Sequence, residues 1–141
     1  MSHKSARIAG RIDAFRGQEM DPHYLGYFDC FNQREFYEAH DVLEELWLGC
    51  RRGPDDGFYK GLIQFAGAFV HLQKGRLKPA AALFRLCRGY LGRYAPEHHR
   101  LRVQEVLALA ERWTSMLEAS DYRDNPLDTH APPTLALEPS R

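Results

Sequence analysis

Residues 36–47 read FYEAHDVLEELW, and their apolar side chains recur at every third or fourth position. This spacing gathers them on one face of an α-helix. Glu35 follows Asn32 by three positions, which is the pattern of a capping box at a helix start. We therefore predict a helix over residues 33–49 with Asn32 as its cap, ended by the turn-forming residues GPDDG at 53–57.

A second apolar segment follows this turn at residues 58–74 and is apolar on nearly every side, which is typical of a helix at the centre of a domain. Gly75 and Pro79 separate it from a further predicted helix that stops before Pro96. Residues 97–118 carry the apolar stripe of a last helix.

Two shorter segments precede these helices: residues 2–16 and the aromatic-rich residues 22–31 both have helical spacing, and we expect the rings of the second segment to lie on the core. No segment alternates with the period of two that marks a half-buried strand. The pattern predicts an all-α bundle of four to five main antiparallel helices without a sheet. We assign residues 1–120 to a single helical domain and residues 121–141 to a Pro-containing, extended or disordered tail.

The composition excludes several classes of protein. The 141 residues include 19 Lys and Arg against 19 Asp and Glu, and 44% are hydrophobic, which rules out a disordered acidic chain and a histone-like basic protein. Charge neutrality disfavours nucleic acid as a partner. The basic residues 74–100 could still bind a phosphate-bearing partner. The sequence has no long apolar block of the kind that forms a membrane segment. Its three widely spaced cysteines are typical of a cytoplasmic protein.

Polar side chains on predicted apolar faces mark a candidate pocket. His40 lies in the apolar strip of the first long helix, and Glu44 follows one turn later. Gln64 and His71 are seven residues apart and share one face of the central helix. In an antiparallel hairpin, His40 lies level with Gly67. We predict a pocket between these two helices, with the following candidates: His40, Glu44, Gln64, His71, Glu38, and Trp47 and Phe36 as its floor.

Three interpretations of this pocket stay open. Its polar groups could satisfy one another in a buried hydrogen-bonded network. They could bind a small ligand or a divalent metal ion, with His40 and Glu44 as the metal ligands. His40 could also act as a general acid–base catalyst oriented by Glu44 or Asp41, although no nucleophile, phosphate loop or cofactor fingerprint accompanies it. Whether the protein is an enzyme is left open.

A different class of function is a non-catalytic interaction module or homodimer in which the polar seam is only structural. In that alternative, exposed aromatic side chains in the segment Tyr24–Phe31 would contact the partner.

The motif EAHDVLEELW at 38–47, followed by GLIQ at 61–64, His71 and Gly75, resembles the domain of unknown function 309 family, a group of small helical prokaryotic proteins. The likeness extends over about residues 27–96, with Asp41 standing where Glu is more usual. It implies a multihelical all-α fold and no particular activity. It places these residues on the family's motif positions: Glu38, His40, Glu44, Trp47, Gln64 and His71.

Overall fold

The computed structural model describes residues 6–139, which form six α-helices joined by short connections. No strand occurs in this part of the chain, so the predicted all-α bundle is confirmed. No helix within it is both long enough and apolar enough to cross a membrane. The helices are α1 (Ala6–Asp13), α2 (Pro22–Asn32), α3 (Phe36–Gly49), α4 (Asp56–Gln73), α5 (Leu77–Leu91) and α6 (Val103–Ala119).

Helix α4 is the central helix, as its apolar composition predicts. Its Phe69 is fully buried and meets a ring from each of four neighbouring helices at centroid distances of 5.0–5.7 Å. Burying such a ring contributes about 1.5–3 kcal/mol, and edge-to-face contacts add to it. This packing fixes α4 against α3 and α5. The four partner rings are Phe31, Phe36, Phe84 and Trp113.

The predicted capping role of Asn32 is wrong. Asn32 is the last residue of α2, and its side chain exchanges two hydrogen bonds of 2.7 Å with the backbone of Leu135. Helix α3 begins three residues later than predicted, and its N-cap Glu35 makes no side-chain capping bond. The Glu35 carboxylate instead pairs with Arg7 and Arg11 from α1. A long-range contact has thus replaced the local cap.

The start of the last helix also differs from the prediction. Helix α6 begins at Val103, and residues 98–101 form a tight turn in which His98 and Leu101 exchange backbone hydrogen bonds of 3.0 and 2.9 Å. His99 and Arg100 at the centre of this turn have φ of 46° and 62°. This left-handed geometry cannot continue into a right-handed helix, so the helix starts after the turn.

Residues 121–139 lie across the helices. Leu135 is only 5% exposed, and Asn125 donates a hydrogen bond of 2.6 Å to the carbonyl of Leu72 at the end of α4. The backbone of Glu138 is bonded to Arg100 at 2.7 Å. The segment therefore helps to close the core. The division of the chain at residue 120 stays a prediction.

The aromatic side chains of α2 do not lie on the surface. Tyr24 and Tyr27 are 2% and 0% exposed, and Phe28 and Phe31 are equally buried. The expectation that they contact a partner is wrong, because they supply the bundle with core rings. A homodimer formed through another surface stays a prediction.

Two arginines of the basic helix α5 lie close to acidic side chains of α6. Arg85 and Arg88 lie within 3.5 and 4.0 Å of Glu118 and Glu111 on α6. Part of the basic surface of residues 74–100 is thus partnered by the helix that packs beside it.

Candidate functional site

A cavity of about 210 Å³ lies between α3, α4 and α5. Tyr37 and His40 enter it from α3, and Leu83 enters it from α5. Helix α4 supplies most of the remaining wall. We call this space the interhelical cavity; its lining residues are Tyr37, His40, Ile63, Gln64, Gly67, Val70, His71, Lys74 and Leu83.

Gly67 lines the interhelical cavity without a side chain. A Cβ atom placed on Gly67 would lie 3.8 Å from Cδ2 of His40 and 3.1 Å from Cδ1 of Leu83. The helical hairpin therefore has the predicted register, with His40 level with Gly67. The glycine allows Leu83 of α5 and His40 of α3 to approach the backbone of α4 closely.

Three residues that line the interhelical cavity each have a buried polar atom without a hydrogen-bond partner. Nδ1 of His40, Oε1 of Gln64 and Nδ1 of His71 have no hydrogen bond to any residue in the described range 6–139. Leaving such an atom unpaired costs about 1–3 kcal/mol. The structure therefore disagrees with a self-contained hydrogen-bonded network, since each of the three groups has an atom that the others leave unsatisfied.

The electrostatics of the interhelical cavity keep His71 neutral. Burial lowers the pKa of His71 below its usual value, and the positive charges of Arg76 and Lys74 lower it further. At neutral pH its imidazole is therefore uncharged, with one nitrogen able to donate and the other able to accept. Lys74 adds a positive charge to the cavity wall.

The other candidate residues lie outside the interhelical cavity. The Glu44 carboxylate is 3.9 Å from Nε2 of His40, which is longer than a hydrogen bond. The Trp47 indole donates to Asp56 at the start of α4, and Glu38 lies where its charge affects the thiol of Cys30. Phe36 stacks on Phe69 in the core. Thus His40, Gln64 and His71 come together, while Glu44 lies beside His40 only.

Metal binding by His40 and Glu44 stays a prediction. Within residues 6–139 no third His, Cys, Asp or Glu ligand atom joins these two side chains. Two protein ligands would leave water to complete the coordination of a divalent ion.

A second cluster of polar side chains contains none of the residues that the sequence predicted. Asp55, His98 and His99 meet where the loop before α4 approaches the turn before α6, and their ligand atoms lie within 4.8 Å of one another. The adjacent histidines and the aspartate in the turn segment are visible in the sequence. No local spacing connects residues that are more than forty positions apart.

The sequence profile of the family described as Domain of unknown function (DUF309) matches residues 24–83. The match covers most of α2, all of α3 and α4 and the first part of α5, and so includes both long walls of the interhelical cavity. No curated protein and no solved structure matches the chain significantly.

Proposed function

We propose that this chain, a member of the domain of unknown function 309 family, binds a small polar organic molecule in the interhelical cavity. The observation that carries the proposal is that three residues lining one open space, His40, Gln64 and His71, each have a buried polar atom without a partner. A protein that only needed a stable core would be better served by apolar side chains here, because unpaired polar groups cost stability.

The polar side chains of the lining indicate the chemistry of the ligand. The Gln64 amide both donates and accepts hydrogen bonds, and a neutral imidazole has one nitrogen that donates and one that accepts. A group with an N–H donor beside a C=O acceptor, such as a primary amide or the edge of a heterocycle, matches this set. The apolar side chains of Ile63, Val70 and Leu83 suit a ring behind that group.

The volume limits the size of the ligand. An apolar cavity of roughly 150 Å³ is large enough to hold benzene. The interhelical cavity, at about 210 Å³, therefore suits a single substituted ring. We infer that the ligand is an amide-bearing aromatic ring or a small heterocycle.

The test compares three probes of similar size: benzamide, benzoate and toluene. Each is titrated into the ¹⁵N-labelled full chain while backbone amide shifts are followed by NMR. We expect benzamide to bind most tightly, because it alone offers both a donor and an acceptor, and to shift the amides of residues such as Gln64 and His71. The affinity for toluene shows whether contact with the apolar walls alone is enough for binding.

Matched substitutions locate the binding. Gln64→Leu and His71→Leu are each expected to weaken benzamide binding about tenfold, the value of one hydrogen bond, and to leave toluene binding unchanged. Gln73→Leu is the control, because Gln73 is exposed on the same helix. Equal affinity for benzamide and toluene, or shifts remote from the interhelical cavity, would contradict the proposal.

We also place the protein in the cytoplasm. The support is the cysteine usage: Cys30, Cys50 and Cys87 are all unpaired thiols. A reducing compartment keeps thiols in this state. Fractionation of cells that express the chain without a tag tests this placement, and recovery outside the cytoplasm would contradict it.

A further inference from the structure

We propose that Asp55, His98 and His99 form a binding site for a divalent transition metal ion, with Zn²⁺ as the best match. We call this group the histidine–aspartate cluster. It lies at the loop before α4 and shares no lining residue with the interhelical cavity. The inference is therefore independent of the proposed ligand.

The donor atoms of the cluster already converge. Nε2 of His98 is 2.7 Å from Oδ1 of Asp55, and Nε2 of His99 is 2.8 Å from Oδ2 of the same carboxylate. Two imidazole nitrogens and one carboxylate are the donors that a catalytic-type zinc site takes from a protein. In the metal-free state each Nε2 carries a proton and donates it to the carboxylate.

Coordination requires the three donor atoms, which lie within 4.8 Å of one another, to adjust their spacing. Zinc bonds of 2.0–2.1 Å at tetrahedral angles place neighbouring donor atoms roughly 3.3 Å apart. Each imidazole nitrogen would have to retreat from its carboxylate oxygen by about half an ångström to let an ion enter. Each ring would then carry its proton on Nδ1 and present a bare Nε2 to the metal.

Aromatic contacts hold both rings in place. The His98 ring lies 4.7 Å from Phe58 and 4.9 Å from Tyr94, measured between ring centroids. The His99 ring stacks on Tyr59. Because the rings are already oriented, ordering them costs little when the ion binds.

The backbone that carries the histidines adopts a demanding conformation. His99 and Arg100 both have positive φ, so residues 98–101 form the type of turn that usually contains Asn and Gly. The Tyr24 phenol donates a hydrogen bond of 2.9 Å to the carbonyl of His99 and helps to hold the turn. Left-handed geometry at two bulky residues persists only where surrounding contacts enforce it. Here it directs both imidazoles to one carboxylate.

The charge and exposure of the cluster also suit a cation. Asp55 is the N-cap residue of α4, yet its carboxylate makes no capping bond and is committed to the two histidines. The side chains of Asp55, His98 and His99 are 27%, 29% and 37% exposed. Solvent can therefore supply the fourth ligand, which is the open position of a three-ligand zinc site.

The experiment uses the full chain, freed of its purification tag and stripped of metal with a chelator. Zn²⁺ binding is measured by titration calorimetry, and Co²⁺ is added separately because its visible absorption reports the coordination geometry. We expect one equivalent of Zn²⁺ per chain and the spectrum of tetrahedral Co²⁺.

Variants assign the site. His98→Ala and His99→Ala are each expected to weaken Zn²⁺ binding about 100-fold, by loss of one of three protein ligands. Asp55→Asn retains polar contacts with the rings and serves if an alanine variant does not fold. His23→Ala is the matched control, since His23 lies between the carboxylates of Asp21 and Glu45.

Three results would overturn the proposal. The first is that the wild-type protein binds no stoichiometric Zn²⁺ or Co²⁺. The second is that the His98, His99 and Asp55 variants bind the metal as tightly as the wild type does. The third is that metal binding disappears in His40→Ala or His71→Ala, which would assign the metal to the interhelical cavity.

Discussion

The interhelical cavity and the histidine–aspartate cluster use the same side-chain types in opposite ways. In the interhelical cavity, His40, Gln64 and His71 each have a buried polar atom without a partner. In the cluster, Asp55 accepts a hydrogen bond from each of two histidines. The difference teaches that an imidazole stabilises the fold where it is paired, and that unpaired imidazoles around an open space indicate a place for another molecule.

The largest expected effect is a loss of stability when alanine replaces Gly61, and it is compared with the same substitution at Gly67 in the interhelical cavity. Alanine at Gly61 would place its Cβ 2.7 Å from Cγ of the fully buried Leu91, so we expect Gly61→Ala to destabilise the protein by about 1–3 kcal/mol. At Gly67 only Leu83 must yield slightly, and alanine gains about 1 kcal/mol of helix propensity. Gly67→Ala should therefore unfold in urea near the wild-type midpoint, while binding benzamide less well. A comparable loss of stability at both positions would mean that the cavity is closed in solution.

A smaller change in the free energy of unfolding is expected from substitutions in the two regions, and its sign should differ between the cluster and the interhelical cavity. Asp55→Ala removes the acceptor of two imidazole hydrogen bonds, and we expect a loss of about 1–2 kcal/mol. Gln64→Leu removes a buried amide oxygen that has no partner, and we expect no loss, or a gain of up to about 1 kcal/mol. Urea unfolding of both variants provides the comparison.

Asp13→Ala is the control for this pair of variants, because Asp13 forms an exposed ion pair with Arg16 and should leave the urea midpoint unchanged. If Gln64→Leu were as destabilising as Asp55→Ala, the amide of Gln64 would be satisfied in solution and the contrast between the two regions would disappear.

The smallest expected effect is a difference in pH dependence. Burial, Arg76 and Lys74 lower the pKa of His71 below its usual 6.5, so the unfolded chain binds a proton there before the folded chain does. The free energy of unfolding should therefore begin to fall as the pH drops below 6.5, until His71 is protonated in both states. His71→Leu should remove this part of the slope, as measured by urea midpoints across that range; His130→Leu, at an exposed histidine, should not.

Asp55 should respond in stronger acid. Burial raises the pKa of Asp55, but hydrogen bonds from His99 and His98 outweigh it, and the net shift is downward from 3.8. The stability that Asp55 contributes is therefore present above pH 3.8 and is lost as the pH falls through its lower folded value. Urea midpoints of the wild type and Asp55→Ala across this range measure the contribution, and its loss already well above pH 3.8 would contradict the downward shift.

Much of the interhelical cavity could be predicted from helical periodicity. The facing positions of His40, Gly67 and His71 follow from the spacing of apolar residues on α3 and α4 and from the short loop between them. Glu44, Trp47 and Glu38 could not be placed in this way, because a side chain one turn along a helix is also rotated about its axis. The Trp47 indole donates a hydrogen bond to Asp56 and therefore lies outside the predicted pocket.

The cap of α3 shows a different limit. Asn32 has the right residue type and the right spacing for a capping box, yet its amide holds Leu135, about a hundred residues away. A cap and a long-range anchor use the same donor and acceptor atoms. Local spacing therefore cannot decide between them.

The amino-acid sequence by itself determined the all-α architecture, the order of the long helices and the register that sets His40 opposite Gly67, because these depend on periodicity within one or two neighbouring helices. Only the tertiary structure decided which polar atoms stay unpaired and which distant residues meet. Asp55 lies more than forty residues from His98 and His99, and their contact depends on how α4, α5 and α6 pack together. Hydrogen bonds act over about 3 Å in space, whatever the separation along the chain.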